Sequence, residues 1–181
     1  VAGFSFWWSP SHFWQKTYSY VIPDVPHHTV YSDSRRQDDT KSPKLFYSAP
    51  PAAISSILGF WDISGEVIQN LPNKSSSVLS LYDLVDYFSK IPGFEVEIKK
   101  IGVSELRDYF NEKNPTPLLF QAPLSYESVT VPSMSVAIGM DEGKRTLIAH
   151  NFWLGDSYEF NVEDLVKNKY FDQDEKGIFL V

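Results

Sequence analysis

The chain contains no cysteine among its 181 residues. Disulfides, thiolate metal sites and a cysteine nucleophile are thereby excluded. Positive charge is also scarce: 16 Lys and Arg stand against 23 Asp and Glu, a net charge of -7. Nucleic acid and anionic lipid attract clustered Lys and Arg, and no such cluster occurs, so no nucleic-acid partner is expected. No apolar run approaches the roughly 18–20 residues that cross a bilayer, so no transmembrane segment is expected. Phosphate-binding glycine loops are missing; Gly139 and Gly143 read as parts of a strand and a turn. His27 and His28 are adjacent and would point opposite ways on an extended segment, a poor geometry for a shared metal. Asp38-Asp39 and Asp172-Gln173-Asp174-Glu175 read as solvated loop charge, because a calcium loop needs alternating oxygen ligands around a tight glycine turn. No metal or other cofactor is expected.

What the chain has is apolar and aromatic side chains, 43% and 15% of its residues, enough for one domain with a sizeable core. Residues 1–23 hold Phe4, Phe6, Trp7, Trp8, Phe13, Trp14, Tyr18 and Tyr20, a density of rings that predicts packing against the chain's own core or against a partner. Residues 21–26 should be extended, as residues before proline are. Polar loops are expected over 31–44 and 70–77. Leu81, Leu84, Val85 and Phe88 recur at helical spacing behind Ser80. Residues 94–100 alternate as a strand, a further helix is expected from Ser104 as cap to Asn111, and 117–121 reads as a short strand. Strands at 136–140, 145–150 and 158–160 follow, the first two joined by a turn at 141–144. Asn161 opens a last helix, and 177–181 closes the chain as a strand. Helices first and antiparallel strands last is an α+β order.

Residues 44–62 organise the rest. An aromatic lead-in, Leu45-Phe46-Tyr47, meets Pro50-Pro51, after which Ala52 to Trp61 read as a buried helix from about 50 to 61. Proline is tolerated in a helix's first turn, so Ala49 sits at the helix mouth, where converging amides and the dipole would activate a thiol. Tyr47-Ser48-Ala49-Pro50-Pro51-Ala52-Ala53 followed by Leu58-Gly59-Phe60-Trp61-Asp62 resembles the nucleophile segment of C39-like peptidases, which have a papain-like fold. In that family the wording is an aromatic, Cys-Gly-Pro-Ala-Ala, an apolar helix, then Gly-Tyr-Trp-Asp. The nucleophile position falls on Ala49 and the following glycine on Pro50.

The family's second half is a histidine base on one strand and an orienting Asp or Asn on the next. Ile148-Ala149-His150-Asn151-Phe152-Trp153 matches the second phrase, with Asn151 as the orienting residue and Trp153 as the ring after it. Residues 133–141 match the first in backbone pattern only: the histidine position falls on Ser133 or Met134, and neither side chain takes a proton. His150 should face away from Asn151 and be structural or on the surface. Gln37 sits in the charged loop at the wrong spacing for an oxyanion donor, and without a base Ser48 stays a weak nucleophile.

The resemblance covers roughly residues 24–171 and implies a papain-like α+β domain over 24–181, a buried N-terminal helix packed on an antiparallel sheet, behind the aromatic segment 1–23. It implies a cysteine-peptidase homologue with no intact catalytic set, a pseudoenzyme that binds a peptide or protein partner through a cleft of Ser48, Ala49, Pro50, Met134, Asn151 and Trp153 or through the aromatic segment. The alternative is an active cysteine peptidase of this type whose nucleophile has been changed to alanine. A location outside the cytoplasm, of bacterial type, is expected because stand-alone relatives are usually exported; Val1 to Trp8 have no positive n-region, so any export signal would already be gone.

Overall fold

The computed structural model describes residues 19–28, 49–63, 80–126 and 129–181. Its elements are β1 (Ser19–Val21), α1 (Ala49–Phe60), α2 (Leu81–Phe88), β2 (Ile98–Gly102), a 3₁₀ helix (Val103–Asp108), β3 (Leu118–Tyr126), β4 (Val129–Asp141), β5 (Thr146–Asn151), β6 (Gly155–Asn161), α3 (Val162–Lys167) and β7 (Lys176–Leu180). The rings expected to pack at 4–18 and the loops at 31–44 and 70–77 lie outside the described residues.

The seven strands form one sheet in the order β2-β7-β3-β4-β5-β6, with β1 paired to β4, and every pairing is antiparallel. This makes the fold a mixed α+β one. β4 organises it: β5 takes one flank, while the other is shared by β3 along Val129 to Ala137 and β1 along Gly139 to Asp141. Between those stretches the register with β5 shifts at Ile138, whose carbonyl accepts the Ile22 amide at 2.7 Å. Gly139 is required there, because a Cβ would stand 2.3 Å from the Tyr20 carbonyl oxygen.

All six residues of β5, paired along both edges by β4 and β6, are buried. α1 packs against β4 and buries Ala53, Ile54, Ile57 and Leu58, while Gly59 is exposed. α2 starts where Ser80 and Asp83 satisfy each other's amides, the Ser80 amide donating to Asp83 Oδ2 at 2.9 Å and the Asp83 amide to Ser80 Oγ at 3.3 Å. It buries Leu81, Leu84, Tyr87 and Phe88. Asn161 caps α3 by accepting the Glu163 amide at 2.8 Å.

Three local expectations are corrected. Residues 21–26 are not one extended run: β1 ends at Val21 and Pro23-Asp24 turn the chain, with Asp24 at φ 60°. The strand expected from 94 begins at Ile98, because Phe94 is held in the turn leaving α2, its amide on the Ile91 carbonyl and its ring stacked on Phe88 at 5.7 Å. The helix expected from Ser104 is a 3₁₀ helix whose Gly102 amide is capped by Glu105 Oε2 at 2.9 Å. The turn expected at 141–144 does join β4 to β5, and Arg145 at its end takes a positive φ and pairs with Glu175.

Candidate functional site

Ser135 of β4 and Asn151 of β5 stand directly opposite each other in the ladder. Residues two apart share a face of a strand, so Ser133 joins them, and Met134 projects to the other side. The three polar side chains meet in the interior: Asn151 Nδ2 donates to Ser135 Oγ at 2.9 Å and reaches Ser133 Oγ at 3.5 Å. Asn151 is fully buried. Its Oδ1 accepts the amides of Trp153 and Leu154 at 3.0 and 2.9 Å, which folds the chain into the turn between β5 and β6. An orienting residue needs a free amide or carboxylate edge for its base; every edge of Asn151 is already engaged.

Of the two candidate histidine positions, Ser133 is the one beside Asn151, and Met134 is buried in the hydrophobic core. Trp153 is half-buried in the middle of the turn between β5 and β6. Ala49 is the first residue of α1, and the helix rests on β4. Two of the first three residues are proline, so the helix mouth offers fewer amide hydrogens than an ordinary N-terminus. Ser48 and Gln37 lie outside the described residues.

His150 follows a different logic. It is buried, its Nε2 donates to the Val25 carbonyl at 2.8 Å, and its Nδ1 faces Asp156 Oδ1 at 2.8 Å and the Ser157 amide at 3.4 Å. The carbonyl can only accept, so the hydrogen on Nε2 is assigned by geometry. His150 thereby pins the segment 22–28 to the β5–β6 hairpin. His27 of that segment lies 5.2 Å from the His150 ring and stacks on Phe152 at 5.6 Å, while His28 is exposed. No sequence signal joins His27 to His150, since the long separation between them is closed only by the docking of segment 22–28 on β5. Among the described residues no group of three or more His, Cys, Asp or Glu could hold a metal.

The acidic run 172–175 is more structured than solvated loop charge. Asp172 pairs with Lys100 at 2.6 Å and its other oxygen accepts the amides of Asp174 and Lys176, each at 2.9 Å.

No protein-family model, curated protein or solved structure matches the chain. A cavity of about 760 Å³ opens at the C-terminal end of α1, walled by Ile57, Trp61, Phe94, Val96, Leu119 and Leu180 among others. Met134, Asn151 and Trp153 are not part of its wall, and Ala49 begins the opposite end of the helix.

Proposed function

We propose that the chain is a papain-like domain of the C39-like type that has lost its catalytic dyad and acts by binding a peptide or protein. The observation that carries this reading is the cluster of Ser133, Ser135 and Asn151. Positions that the resemblance assigns to a base and its orienting partner are neighbours, yet they hold a hydroxyl and a fully bonded carboxamide. Neither group changes protonation near neutral pH, so neither can take a proton from a nucleophile. The one buried histidine nearby has both ring nitrogens committed elsewhere. The binding role goes to the cleft positions that the resemblance implies, Ser48, Ala49, Pro50, Met134, Asn151 and Trp153, or to the ring-rich segment 1–23, and an extracytoplasmic setting goes with that reading.

The alternative, an active peptidase carrying alanine in place of its nucleophile, differs in one experiment. Ala49→Cys is expected to give no hydrolysis of a fluorogenic peptide library, because a thiol at the helix mouth still lacks a base to complete the dyad. Hydrolysis by that single variant would overturn the loss of catalysis. The binding role is checked by titrating the unmodified protein against the same peptides in unlabelled form: saturable binding weakened by Trp153→Ala supports it, and no binding by any peptide class refutes it.

A further inference from the structure

The neighbourhood of His27 is built for an uncharged ring. Its Nε2 is buried with no hydrogen-bond partner, one flat face lies on Phe152, and the His150 ring stands 5.2 Å away. A second proton on His27 would put an N–H where no acceptor waits and a positive charge beside another imidazole. His150 differs, because it has a partner in either state: the Ser157 amide suits a bare Nδ1, and the Asp156 carboxylate suits a protonated one. The groups that face His27 are His150 from β5 and Asp156 from β6. On its own segment, Asp24 and His28 are exposed.

We propose that His27 and His150 form an acid-sensitive clasp, closed while His27 is neutral and opened when it takes a proton, that fastens residues 22–28 to the β5–β6 hairpin. Burial, and then the neighbouring His150, hold His27 below the ordinary histidine range, against the pull of Asp156 and the Asn151 backbone. What the clasp secures is an apolar strip. Ile22 and Val25 are buried beneath the segment, and Pro26 lies so close to α1 that a Cβ on Gly59 would meet its ring at 3.0 Å. Opening releases the Val25 carbonyl from His150, bares Ile22 and Val25, and unseats Pro26 from the end of α1. The device senses acid in the segment that follows β1, and it does not depend on the binding role proposed above.

The test is amide hydrogen exchange read by NMR on the full chain at about pH 7.5 and about pH 5, on either side of the ordinary histidine range. Exchange is expressed as protection relative to the intrinsic rate, and the amides of β3 and β7 serve as the internal reference. The expected result is a loss of protection at acid pH confined to 19–28, coinciding with the titration of the His27 ring protons. His27→Phe keeps a flat ring on Phe152 without nitrogen and is expected to hold its protection at both pH values; His27→Gln is read the same way if the Phe variant does not fold. Equal protection of 19–28 at both pH values in the unmodified protein overturns the clasp. So does a loss in the variant matching that in the parent, or a loss whose midpoint departs from the His27 titration.

Discussion

At the scale of single residues, Asn151 does the work of three ordinary polar side chains. Its carboxamide closes the turn after β5 with two amides and ties β5 to β4 through Ser135. Asn151→Ala would leave the buried Ser135 hydroxyl without that partner and release the two part-buried turn amides, and the expected loss of stability is about 2–3 kcal/mol, read by urea unfolding. Asn151→Asp keeps the acceptor but buries a charge, so it is expected to unfold at lower urea as well, and more so at pH 7 than at pH 4. The residue's singularity is legible in the sequence, where His150-Asn151-Phe152-Trp153 draws attention to it. Its neighbours are less so. Ser133 and Ser135 look like filler on an alternating strand until the ladder sets Ser135 opposite Asn151, and His27 has no sequence cue because its partner is reached only through the docked segment.

Between residue and fold, the elements that can be read are those whose start or stop is written in local chemistry. Ser80 and Asp83 announce α2, and Asn161 announces α3. Ser80→Ala removes the cap of an eight-residue helix and is expected to lower stability by about 1 kcal/mol in the same urea assay. The strand expected at 117–121 runs on to Tyr126 through Pro123, a residue that argues against a central strand. The sheet accommodates it by placing Pro123 directly opposite Pro132, so that the two missing donors coincide at one pair. That coincidence joins two distant positions and is invisible to a local reading. Gly139 is another such case. Gly139→Ala would drive a methyl group into the backbone of Tyr20 and Val21, and the expected outcome is loss of exchange protection over 19–22 together with about 1–3 kcal/mol of stability.

For the molecule as a whole, two places far apart on the sheet bear on stability in acid among the described residues. The Lys100 ammonium, with the amides of Lys176 and Asp174, holds the Asp172 carboxyl below its usual 3.8; Asp172 in turn raises Lys100 above 10.5. A carboxyl lowered by folding stabilises the native state above its unfolded value, and that contribution goes as pH falls through the folded one; a raised lysine contributes below its unfolded value and loses the contribution above the folded one. His27, lowered from 6.5, contributes at neutral pH and loses its contribution as pH drops below that value through its folded one. Plots of urea midpoint against pH should therefore show an acid limb in two stages. His27→Gln is expected to remove the upper stage alone, and Asp172→Asn to reduce the lower one. The α+β order itself was readable from the succession of periods, whereas the path by which β1 returns to β4 was not, because nothing local to Ser19–Val21 names its partner.

That return path has a consequence for the nascent chain. Ser19–Val21 is made well before the stretch Gly139 to Asp141 that it pairs with, so it must wait, unzipped, while α1, α2, β2 and β3 are made. A chain arrested before Gly139 would present this strand, and whatever precedes it, to chaperones or to another copy's β4.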